Sequence, residues 1–169
     1  AMKGVILSVN PTVSIVDMTH HIDPQDVIEA AYVVEAGWKY FPEGTVHVVV
    51  IDPGVGSDRG IVAFTQNGHL FVAPDNGVLT LLVEKGGIES AVRIENARYF
   101  LSTVSRTFHG RDIFAPVSAH LTLGVAISDL GPPIDPKYLV RLSIQKPTIP
   151  KQGEILGAVV TIDRFGNLI

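Results

Sequence analysis

Cysteine is absent from the 169-residue sequence, which excludes a disulfide framework. Long apolar runs are absent too. Stretches such as Val48-Val49-Val50-Ile51 fall far short of the roughly 18 to 20 residues that span a bilayer, so the sequence does not read as a membrane protein. No basic segment followed by an apolar one opens the chain, which argues against secretion and points to a cytoplasmic location. The 13 Lys and Arg never gather into a basic stripe and the formal charge is −4, so nucleic acid is excluded as a partner. No HxxxH or HExxH spacing occurs. His20, His21, Asp17, Asp23 and Asp26 match no metal-site template, and their bland reading as caps and solvated loop is the better one. No metal is expected.

What the chain has in quantity is hydrophobic residues, 46% of the total, enough to bury the core of one ordinary domain. Val13 to Met18 alternates and reads as a short strand emptying into the loop Thr19-His20-His21-Ile22-Asp23-Pro24. Asp23 or Thr19 can cap a helix running from Pro24 to about Tyr40, with Val27, Ala30, Ala31, Val34 and Trp38 on its apolar face. Thr45 to Ile51 is a run of consecutive β-branched residues, as in a strand covered on both faces. Gln66-Asn67-Gly68 between two apolar runs, Ile61 to Thr65 and His69 to Ala73, predicts a hairpin. Further helices are predicted over Asn76 to about Glu84, stopped by Gly86-Gly87, and over Asp112 to about Leu123.

The order strand, helix, strand defines an α/β class with a central mixed sheet flanked by helices. Residues 1–146 form this unit. The Pro-rich stretch from Pro132 to Pro150 leads to a new β pattern from Glu154, so 147–169 reads as a linker and the start of a small β domain. One strand with a polar tail is not a stable domain, and most of that second domain is expected to be missing from the sequence.

Three segments offer chemistry. The loop Asp52-Pro53-Gly54-Val55-Gly56-Ser57-Asp58-Arg59 carries two acids, two glycines and an arginine. Read blandly, it is a tight turn with Arg59 on Asp58; read by position, Asp52 ends a buried strand and Arg59 returns across the glycines to meet it. In Phe108-His109-Gly110-Arg111-Asp112, Asp112 is explained as a helix cap or N-terminal acid, whereas His109 stands at a helix mouth, suited to proton handling near neutral pH. In Pro74-Asp75-Asn76-Gly77, Asp75 can cap, and Asn76 lies either in the turn or toward a ligand.

Taken together, Ile15 to His20 with Pro24-Gln25-Asp26-Val27, Val50 to Gly56, Phe71 to Gly77, Thr107 to Pro116 and Ile162 to Ile169 resemble the S-adenosyl-L-methionine hydroxide adenosyltransferases, relatives of the fluorinases and chlorinases. The resemblance implies an N-terminal α/β domain, a smaller C-terminal β domain, and a homotrimer with the substrate between subunits. It implies hydrolysis of S-adenosyl-L-methionine to adenosine and methionine, with no cofactor. The family's Asp-Arg-His triad falls on Asp52, Arg59 and His109. Asp163 would face the methionine amino group and Phe165 and Asn167 the adenine, with Gln25 and Asn76 as further substrate-binding positions. The family's opening strand and its acidic ribose-contacting segment, normally ahead of Met2-Lys3-Gly4, are lacking here.

The sulfonium leaving group departs as neutral methionine, so catalysis must concentrate on the attacking water. Halide-using relatives resemble one another in carrying tyrosine at the place of Asp52 and, in the fluorinase, serine at the place of Gly110. A lone carboxylate about 4 Å from a halide repels it by about 4 kcal/mol at an effective dielectric of about 20, which favours water over halide. A non-catalytic nucleoside-binding module is the alternative of another class.

Overall fold

The computed structural model describes residues 1–162 and 165–168. Four strands form one mixed sheet in the order β1-β3-β2-β4: β1 (Val46–Val48), β2 (Ile61–Gln66), β3 (His69–Pro74) and β4 (Ile88–Arg93). β1 runs parallel to β3, and β2 is antiparallel to both β3 and β4. The predicted hairpin is present. Asn67 and Gly68 both take positive φ, 49° and 74°, the backbone that a two-residue turn matched to strand twist requires.

Side chains alternate across this sheet into two apolar layers. On one face Val62, Phe64, Phe71 and Ala73 meet Ala30 and Val34 of helix α2 (Val27–Gly37) and Leu82 of helix α3 (Thr80–Lys85). On the other, Ile61, Ala63 and Val72 meet Phe114, Val117 and Leu121, the last two on helix α4 (Ala115–Thr122). Val49 joins the first layer while Val46, Val48 and Val50 pack on the second, so the β-branched run is covered on both faces, as its composition implies. The short helix α1 (Met2–Val9) lies against α4, tied by Asn10 Nδ2 to Thr122 Oγ1 at 2.9 Å. No helix among the described residues is long and apolar enough to cross a membrane.

Several boundaries differ from the sequence reading. Val13 to Met18 is not a strand: it pairs with no named strand, Val16 is exposed, and the Met18 thioether instead lies against Gly37. Alternation makes a strand only where a sheet edge receives it. Helix α2 starts three residues late because Gln25 sits at φ 71°. Asp26, not Asp23 or Thr19, is its cap, accepting from Glu29 N at 2.7 Å. Helix α3 begins at Thr80 because Gly77, at φ 94°, still belongs to the turn. The fourth helix is longer at its start, a wide π turn over Gly110–Phe114 running into α4. Past Pro147 the β pattern amounts to isolated bridges, Thr148 with Leu156 and Ile162 with Leu168, and leaves Ile149, Ile155 and Phe165 exposed.

Candidate active site

The loop after β1 is built to fold back on itself. Gly54 makes room for this, since a Cβ there would lie 3.3 Å from Arg59 Cγ. Gly56, at φ 79°, fits closer still: a Cβ would meet the Arg106 carbonyl oxygen at 2.5 Å, so only glycine lets this loop lie against the segment leading to His109. Arg59 therefore pairs with Asp52 rather than with Asp58. Its Nε donates to Asp52 Oδ1 at 2.9 Å and to Oδ2 at 3.0 Å, and Nη2 donates to Oδ2 as well. Both side chains are nearly buried, 5% exposed for Asp52 and 9% for Arg59, and the Phe114 ring backs the guanidinium at 5.8 Å. A forked pair in this setting is far stronger and more directional than a surface ion pair.

The same Nη2 reaches His109 Nδ1 at 2.8 Å. A guanidinium only donates, so Nδ1 must be the accepting nitrogen, and a neutral ring then carries its proton on Nε2. Burial, then the Arg59 charge, pushes the His109 pKa below its usual value, with Asp52, Asp112 and the Ser105 backbone acting in the opposite direction. His109 comes from the head of the π turn, with Gly110 wedged beside Met2 and Val50: a Cβ at that position would lie 3.1 Å from Met2 Sδ and 3.3 Å from Val50 Cγ1.

Asp52 also lines a hollow of about 360 Å³ with Ile22, Asp23, Pro24, Gln25, Val50, Ile51, Pro53 and Val55. Gln25 is thus brought to the carboxylate's side. Asn76 sits in the turn after β3, its Nδ2 donating to the Ile51 carbonyl at 2.8 Å and its Oδ1 accepting from Val78 N at 3.1 Å. It fastens the backbone immediately before Asp52. Asp75 accepts from Val140 N at 2.8 Å, tying the 140 segment to this turn instead of capping α3. Phe165 and Asn167 lie in the exposed C-terminal segment and do not line the hollow, and Asp163 lies outside the described residues. Among the described residues no group of three or more His, Asp or Glu is placed to hold a metal ion.

The expected repulsion between halide and Asp52 does not hold at about 4 kcal/mol: Arg59 cancels the carboxylate charge, so the penalty is far smaller. Asp112 was missed as a site-building residue. Its carboxylate accepts from Ser105 N, seven residues upstream, at 2.8 Å, which is not a cap. Only its place beside His109 in the sequence hinted at this.

A carboxylate that lines a hollow after a parallel strand, paired with a guanidinium that also meets an imidazole, marks the candidate site of this α/β domain. The chain belongs to the S-adenosyl-L-methionine hydroxide adenosyltransferases: the model of that family's N-terminal domain matches residues 1–131. It is 41% identical over 170 residues to an (R)-S-adenosyl-L-methionine hydrolase of Salinispora tropica, covering 99% of this chain and 64% of that protein. Against a fluorinase of an Actinoplanes species the identity is 31%, covering 98% and 64%. A solved structure from Thermotoga maritima, described as an uncharacterized conserved protein, superposes with a TM-score of 0.90 at 41% identity, covering 99% of this chain and 64% of that one. The chain thus spans less than two thirds of the length of these relatives.

Proposed function

We propose that the protein hydrolyses S-adenosyl-L-methionine to adenosine and L-methionine, by attack of water on C5′. The observation that carries this reading is the contact of Arg59 with both Asp52 and His109, with Asp52 lining the hollow. Asp52 is the member that faces the cavity, and its oxygens keep lone pairs beyond those used by Arg59. It is therefore the group that accepts from the attacking water. His109 Nδ1 is occupied by Arg59 and must be released before it can take a proton, so its part is to hold the guanidinium against Asp52. Alignment of water and C5′ at the hollow supplies the rest of the rate. The hydrolase relatives, at 38% to 41% identity against 31% or less for the fluorinases, favour water over halide as nucleophile. Arg59 reinforces that preference because both hydrogens of Nη2 are already committed to Asp52 and His109.

In this reading Gln25 and Asn76 flank the substrate, and Asp163, Phe165 and Asn167 bind its methionine amino group and adenine from a neighbouring subunit of a homotrimer. Residues 1–146 are the catalytic α/β domain and 147–169 the linker and opening of a β domain. The protein works in the cytoplasm and needs no cofactor. Asp52→Asn tests the mechanism. Adenosine release should fall about 10²-fold or more while substrate affinity changes little. Thermal unfolding is followed in parallel, because removing the charge opposite the buried Arg59 guanidinium costs up to about 3–5 kcal/mol. A folded Asp52→Asn protein that releases adenosine at the parental rate would refute the role given to this carboxylate.

A further inference from the structure

We infer that Asp112 is a positioning residue for His109, its buried carboxylate holding the loop from which the imidazole meets Arg59. The side chain is fully buried yet carries charge: the Arg111 guanidinium, and after it the Ser105 backbone and side chain, hold its pKa down to about 2. A charge buried to that degree persists only where its partners are fixed. Those partners are Arg111, with Nε at 2.5 Å from Oδ1 and Nη2 at 3.1 Å from Oδ2, and Ser105 N at 2.8 Å from Oδ2. The Asp112 carbonyl also accepts from Leu101 N at 2.9 Å. One residue thus fastens the preceding loop at two points, 101 and 105, and neither bond caps the helix.

From Ser105 the tie passes on to the histidine. Ser105 Oγ accepts from the backbone N of Phe108, the residue before the histidine, at 2.9 Å, and the Phe108 ring lies 5.1 Å from the Arg111 guanidinium. The groups facing the His109 ring are Arg59 and Asp52 from the loop after β1, Asp112 from its own turn, and the Ser105 backbone. Neutralising Asp112 removes both an anchor and one of the two carboxylates that favour the imidazolium.

The inference rests on the proposed hydrolysis for its kinetic arm only. In the complete protein, Asp112→Asn should lower kcat for adenosine release about 10-fold or more with KM within about twofold, since small displacements of a catalytic group act on the chemical step. The His109 imidazole titration, read by NMR, and the acid limb of the rate profile should both move to lower pH. Leu82→Ala, a cavity in the opposite layer, should destabilise the fold without changing kcat, which separates positioning from general loss of stability. Parental kcat together with an unmoved His109 titration in Asp112→Asn would overturn the inference. Should that variant fail to fold, Ser105→Ala cuts the next tie outside the core; it should lower kcat several-fold, and a parental kcat there would overturn the inference equally. If the parent itself releases no adenosine, the functional reading falls, while the His109 titration still decides the coupling to Asp112.

Discussion

Acid should unfold this protein partly through one buried histidine remote from the site. His47, on β1, stacks on Phe71 at 4.8 Å and meets the edge of Phe41 at 5.5 Å. Its Nε2 lies 3.1 Å from His69 Nδ1, and both residues are buried, 7% and 4% exposed. Two nitrogens at that distance share one hydrogen, so a second proton has no acceptor. Burial, then the His69 charge, lowers the His47 pKa from 6.5 to about 4. For a base whose folded pKa is depressed, the unfolded chain takes up the proton first. Stability is therefore intact above pH 6.5, declines as pH falls toward 4, and loses nothing more from this group below that. A gap of 6.5 to about 4 at 1.36 kcal/mol per unit gives about 3 kcal/mol, or about 6–12 °C in Tm for a chain of this size. His47→Gln removes the titration and keeps an amide donor for His69. Carboxylates also titrate in this window, but they cancel when urea unfolding of parent and variant is compared from pH 7 to pH 4. The parent should lose about 3 kcal/mol more than the variant; parallel profiles would refute the argument.

Two further substitutions follow from the loop geometry. Gly56→Ala places a methyl 2.5 Å from the Arg106 oxygen at φ 79° and should cost about 1–2 kcal/mol of stability from the left-handed backbone alone, with adenosine release falling further than the stability loss accounts for; unchanged turnover would show that the fit of the two loops is not needed. Asn76→Ala deletes the bonds to Ile51 O and Val78 N and should cost about 1–3 kcal/mol in denaturant unfolding, a loss below about 0.5 kcal/mol arguing that water replaces both.

The parts of the fold that could be read from the sequence were those specified by neighbours in the chain. Asn67-Gly68 fixes its hairpin through its own φ angles, and the run from Val46 to Val50 shows two-faced burial through its composition. β4 (Ile88–Arg93) could not be read, because Ile-Glu-Ser-Ala-Val-Arg carries little strand pattern and is recruited by the edge of β2, with a bulge between Thr65 and Gln66. Val13 to Met18 shows the reverse: pattern without an edge. Its Met18 became a cover for Gly37, a contact that alternation does not encode. Met2–Val9 is helical without a buried residue, and its role comes from contacts distant in the chain, with α4 and through Met2 with Gly110.

The candidate site divides along the same line. The types of its residues and their strand-end and helix-mouth positions were legible, because a carboxylate after a buried strand and a histidine before a helix are local facts. The return of Arg59 across the glycines to Asp52 was likewise legible from position, whereas its contact with His109 fifty residues ahead is not local. That contact depends on Gly56 against Arg106 and on the Asp112 carboxylate against Ser105 N, two approaches that no side-chain pattern announces. Charge was misread for the same reason: Asp52 considered alone repels an anion, whereas Asp52 with a guanidinium folded over it is a neutral unit whose carboxylate still accepts hydrogen bonds. In the proposed reaction, discrimination between water and halide then rests on hydrogen-bond occupancy. Water can donate to Asp52, and halide cannot. The donors that would solvate a halide at Nη2 are already spent on Asp52 and His109, so the pairing that removes the repulsion also removes the attraction.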